Sequence, residues 1–164
     1  MNRQFIFKNY WWIALLGAPL GIGLVAIFHT DQTASLVGSI IAAALGLCYF
    51  AQQQKLAEIS LFKDLFTEFN RRYDSMNESL RQIANSGKPP DEAAHQAIID
   101  YCNLCGEEYL FFAEGYIHRE AWRPWCAGML WYFEREPFRS IWDEEHATRS
   151  YYGLSLEAIR RGAA

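Results

Sequence analysis

Hydrophobic and polar positions divide the chain into an apolar leading third and an amphipathic remainder. Residues 10–28 form a run of 19 without a charged side chain, and residues 34–51 form a second run of 18. At about 1.5 Å of rise per residue, each run would extend roughly 28 Å as a helix, close to the thickness of a bilayer's hydrocarbon core. Only His29, Thr30, Asp31, Gln32 and Thr33 separate them. The pattern predicts a transmembrane helical hairpin over residues 1–51, followed by a second domain over residues 52–164. A buried hairpin inside a soluble core is the alternative. Near-zero mean hydropathy conceals this division, because the polar remainder offsets the apolar start.

Beyond residue 51 the period becomes helical. Ile59, Phe62, Phe66, Phe69, Tyr73, Met76, Leu80 and Ile83 recur at alternating steps of three and four. That spacing predicts a long helix continuing the second run, with an apolar seam. The seam residues Phe62, Phe66, Phe69, Tyr73, Met76 and Leu80 suit either an oligomer contact or packing on the chain's own domain. Asn85 to Pro90 ends this helix, and Asp91 caps the next. Ala94, Ile98, Tyr101, Cys102, Cys105, Tyr109 and Phe112 predict a helix reaching Gly115. Further helices are expected over about Glu120–Glu134, from Pro137 to His146, and over Tyr151–Arg161. No strand-like alternation of useful length occurs, so the expected fold class is all-α.

Charge sets the orientation of the hairpin. Arg3 and Lys8 precede the first run, Lys55 and Lys63 follow the second, and the turn holds Asp31 and His29. Basic residues favour the cytoplasmic side, which predicts an inner-membrane protein with both termini cytoplasmic. Within the runs, Gly17 and Gly21, and then Gly38, Ala42 and Gly46, repeat at four-residue spacing, the pattern that lets membrane helices approach closely. Neither run contains an ionisable side chain of the kind proton relays use, which argues against a transporter but leaves a pore open. Residues 52–164 hold 13 Lys and Arg against 18 Asp and Glu, so no basic excess marks a general nucleic-acid binder.

Several residue groups are candidates for chemistry. Cys102 and Cys105, with Cys126 and His118, have the ligand types for zinc. Both cysteines of the pair fall on the apolar stripe, however, where a thiol behaves as a small hydrophobe, and no metal or other cofactor is expected. Glu107, Glu108 and Glu114 read as exposed helix charges, with acid–base catalysis as the alternative. Arg71 and Arg72 read as a solvated helix face, with a lipid head-group or anion site as the alternative. Trp122, Trp125, Trp131, Tyr132, Phe133, Phe138 and Trp142 read as core and subunit interface, with a base-stacking platform as the alternative. Arg139 and His146 are separated by six residues near the start of a late helix. The pair is similar to the Arg-x4-6-His motif of HEPN ribonucleases, in which an imidazole moves the 2′-hydroxyl proton and a guanidinium holds the phosphate. Ser140 stands where that motif favours Asn, Asp or His.

The stretches Leu61–Tyr73 and Tyr101–Tyr109, followed by Gly115-Tyr116-Ile117, Trp122, Trp125, Gly128-Met129 and Trp142, resemble a group of small bacterial membrane proteins. In layout and motif order the chain is similar to the accessory membrane protein of type VI-B CRISPR loci, across about two-thirds of its length. That resemblance implies a divergent HEPN-like domain on an apolar N-terminal segment. It also implies a homo-oligomeric, ring-shaped pore acting in antiphage defence. The implied partners are the lipid bilayer, further copies of the chain, and a CRISPR effector complex or RNA. No small-molecule substrate is evident. An enzyme, namely a membrane-tethered ribonuclease using Arg139 and His146, is the competing expectation. A membrane anchor that recruits a protein partner is another.

Overall fold

A computed structural model describes residues 19, 20, 23, 33–147 and 150–164, and every regular element among them is helical. The helices are α1 (Thr33–Ser86), α2 (Glu92–Ala113), α3 (Arg119–Phe133), α4 (Phe138–His146) and α5 (Leu156–Ala163). The chain divides into two compact units, Met1–Ser60 and Leu61–Ala164. Most of the first apolar run, with Gly17 and Gly21, and residues 29–32 of the turn that follows it lie outside the described residues, so the two-span hairpin is not part of the described structure.

Within the first unit, α1 carries the second apolar run. It is the one described helix long and apolar enough to cross a membrane, and only 6% of its most apolar 18-residue stretch is buried. Leu36, Ile41, Leu45, Leu47, Tyr49 and Phe50 are all exposed. The less exposed positions, Val37, Ile40, Ala44, Cys48 and Ala51, recur at helical spacing along one face. Gly38, Ala42 and Gly46 are exposed and, at about 100° per residue, project from the opposite face. A Cβ on Gly38 or Gly46 would meet nothing within 4 Å.

The second unit is built on the remainder of α1 and the four shorter helices. Gly87, at φ +61°, follows the end of α1 in the left-handed conformation that suits a glycine at a helix stop. The Asp91 carboxylate accepts the Ala94 N–H at 2.8 Å and caps α2. Ser155 caps α5 in the same way, through the Ala158 N–H at 3.1 Å. Trp122, Phe133, Phe138 and Trp142 are fully buried together with Leu80, Ile98, Leu104, Met129, Leu154 and Ile159. The rings pack as a connected cluster. Phe112 stacks on Trp122 at 4.8 Å, Phe133 lies 4.5 Å from Trp142, and Trp142 stacks on Tyr151 at 5.3 Å. The dense aromatic segment is therefore mainly core.

One expected helix boundary changes, and one open alternative narrows. The last helix begins at Leu156 rather than at Tyr151. Tyr151 is buried in the preceding turn, where its ring completes the Trp142 stack. The apolar seam of α1 also lies largely inside the protomer. Phe69 and Leu80 are buried, while Phe62, Tyr73 and Met76 pack against the same core. Phe69 contacts Phe111 and Trp125, and Tyr73 contacts Tyr101. Of the predicted seam, Phe66 stays 40% exposed, and even it stacks on Trp125 at 5.7 Å. Bulky rings at these positions satisfy themselves within the unit, which removes Phe69 and Leu80 from any contact between copies.

Candidate functional site

Arg139 and His146 occupy the two ends of α4. Seven residues bring them within about 20° of one another around the helix but separate them by roughly 10.5 Å along it. Each has a different local partner. Arg139 Nε lies 4.0 Å from the Asp143 carboxylate, and both side chains are more than half exposed. His146 Nε2 is 3.0 Å from the Leu154 carbonyl, and its ring packs on Trp142. The carbonyl is an acceptor, so it favours the tautomer protonated at Nε2 and leaves Nδ1 for any further proton transfer. Ser140, between them, donates its hydroxyl to Glu136 at 2.7 Å and so helps fasten the start of α4.

The cysteines are enclosed. Cys102, Cys105 and Cys126 have no exposure. Burial, as the leading cause, pushes the Cys102 and Cys126 thiols up to about 12 and raises Cys105 well above its ordinary value. A thiol held protonated is a poor nucleophile. His118 lies against Phe62 at 4.5 Å. Among the described residues, no group of three or more His, Cys, Asp or Glu side chains is placed to hold a metal ion.

The basic pair on α1 splits in role. Arg71 pairs with Glu68 on the surface of its own helix, and that hydrogen bond holds the Glu68 carboxyl below its usual value. Arg72 reaches α2 and binds Glu107 through both guanidinium NH2 groups, at 2.5 and 3.2 Å, with both side chains about two-thirds buried. Such a two-pronged pair fixes geometry as well as charge. Arg71, Arg72, Ser75, Asn103, Glu107 and Tyr152 border an open cleft of about 510 Å³.

Glu108 departs most from expectation. It is 6% exposed rather than a surface charge. The sequence contained the signal. Ile98, Tyr101, Cys105, Glu108 and Phe112 follow the same alternation of three and four that marks a buried helix face, and Glu108 interrupts it with a carboxyl. Burial, as the leading cause, raises this carboxyl to about 8; Arg72 opposes the shift and Glu107 adds to it. Among the described residues, no hydrogen bond to the Glu108 carboxyl is found. It lines a cavity of about 190 Å³ with Asn70, Tyr73, Tyr101, Trp125 and Gly128.

These observations define a chain whose described elements are all helical, with one described helix of membrane-crossing length and composition and a unit with a ring-rich core. No family model matches the chain, and neither a search of curated proteins nor one of solved structures finds a match.

Proposed function

We propose that this chain is a homo-oligomeric protein of the bacterial inner membrane, with both termini cytoplasmic, that perforates or disturbs the bilayer under control of its C-terminal helical unit. The carrying observation is the surface of α1 between Ser35 and Ala51, which is long, uncharged and mostly exposed. An exposed apolar face of this extent is strongly unfavourable in water and favourable in lipid. The Gly38, Ala42 and Gly46 strip supports association, because a helix side without bulk lets another backbone come close. The defence role and the link to a CRISPR effector rest on the resemblance in layout and motif order alone. Detergent-purified protein is expected to run as a large particle and to release dye from liposomes. A monomer that leaves liposomes sealed would overturn the reading.

A second reading, a membrane-tethered HEPN-type ribonuclease, draws on the shared helix face of Arg139 and His146. It requires a partner copy to bring one Arg139 and one His146 to a single phosphodiester. Its test is RNA cleavage by the purified oligomer that disappears in both Arg139→Ala and His146→Ala.

A further inference from the structure

We propose that the cavity bounded by Glu108, Tyr73, Tyr101, Trp125 and Asn70 is a binding site for a small organic ammonium ion. This inference rests on the geometry of the second unit and not on the membrane reading. Among the described residues no fully enclosed side-chain nitrogen or oxygen lacks a hydrogen-bond partner, so the Glu108 carboxyl, which makes no hydrogen bond to them, opens onto the cavity rather than being sealed in. A strong cation stands close by but is engaged elsewhere. The Arg72 guanidinium is held by Glu107, the neighbour of Glu108, in a two-pronged pair. The one ion pair linking α1 to α2 thus leaves Glu108 without a counter-ion of its own.

The rest of the wall suits a cation with apolar substituents. Tyr73, Tyr101 and Trp125 line the cavity, and the faces of such rings attract ammonium groups. The Tyr73 and Tyr101 ring centres are 6.2 Å apart. Asn70 adds a side-chain carbonyl that could accept an N–H. Gly128, inside α3, keeps the space open. A Cβ there would meet nothing within 4 Å, so no close helix contact demands glycine at this position. The cavity volume, about 190 Å³, accommodates a choline-sized ion. A metal ion is a poor fit, since Glu108 is the only carboxylate, imidazole or thiol lining it.

Binding is coupled to a proton. The charged and titratable groups around Glu108 are Arg72 and Tyr73 on α1, Tyr101, Cys105 and Glu107 on α2, and Cys126 on α3. With its carboxyl raised to about 8, Glu108 is mostly neutral at pH 7, and a permanent cation must displace its proton. Apparent affinity therefore rises with pH, by roughly 50-fold between pH 6 and pH 8, and then levels.

Calorimetry on the full chain in detergent tests this, with choline, tetramethylammonium and n-propylammonium as cations and 3,3-dimethylbutan-1-ol as the neutral isostere of choline. At least one cation is expected to bind with release of close to one proton at pH 7, and the alcohol to bind at least tenfold more weakly. Glu108→Gln should lose tenfold or more in cation affinity together with the proton release. Gly128→Leu, which adds bulk at the cavity wall where a Cβ meets nothing within 4 Å, should lower cation affinity tenfold or more while the helical signal and unfolding temperature hold. The proposal is overturned if none of the three cations binds at millimolar concentration, if the alcohol binds as well as choline, or if Glu108→Gln binds like the parent chain.

Discussion

At the scale of single residues, Glu108 makes folding stability depend on pH. Its carboxyl is raised in the folded state to about 8, against an ordinary 4.5. Between those values the unfolded chain has released the proton that the folded chain still holds, so stability falls as pH rises through that window and then levels. A shift of that size sets a ceiling of roughly 5 kcal/mol on the loss. Denaturant titrations at pH 5 and pH 8.5 should show this decline in the parent protein and a much flatter profile in Glu108→Gln. The enclosed thiols give a second residue-scale expectation. Cys102, Cys105 and Cys126 should react with a thiol reagent only after denaturation, with Cys48 alone open to labelling under native conditions when detergent leaves it accessible.

At the scale of elements, the short helices are held by caps and one close approach. Removing the Asp91 cap with Asp91→Ala should cost about 1 kcal/mol, read as a lower denaturation midpoint, since the Ala94 N–H then loses its acceptor. The α3–α5 contact is the most extensive between helices of the second unit. Gly162 lies within it, against Cys126 and Trp122. A Cβ there would strike Cys126 Sγ and sit 2.6 Å from Trp122 Nε1, and both side chains are buried. Gly162→Ala should therefore destabilise the unit by about 1–3 kcal/mol through overpacking, despite alanine's better helix propensity, as thermal unfolding would show. The helix breaks were legible in sequence because they depend on local chemistry. The Gly87-Lys88-Pro89-Pro90 stop and the Asp91 start need no tertiary partner. The onset of the last helix was not legible in that way. Tyr151 fits a helical pattern, but its ring is worth more stacked on Trp142 than on a helix surface, and the chain turns until Ser155 can cap Leu156–Ala163.

At the scale of the whole molecule, the apolar run of α1 is expected to dictate handling and assembly. Without detergent, the protein should sediment with membranes. Replacing Ala42 and Gly46 by leucine should reduce particle mass in detergent, measured by light scattering, while the second unit keeps its unfolding transition. Bulk on that face would push neighbouring helices apart.

The sequence by itself determined the division into an apolar third and an amphipathic remainder, the all-helical class and most helix ends. Those properties follow from periodicity, run length and capping, which act over a few residues. It could not determine which side of an ambiguous stripe faces inward. Phe62, Phe66, Phe69 and Tyr73 suit a seam between copies as well as a core, and only the positions of Trp125, Phe111 and Tyr101 on other helices place most of them inside. The same holds for the two adjacent glutamates. One turn of α2 presents Glu107 to Arg72 and Glu108 to a ring-lined cavity, so identical side chains become an ion pair and a buried acid. That difference comes from the helices packed around them, which bring together residues too far apart in the chain for any local pattern to record.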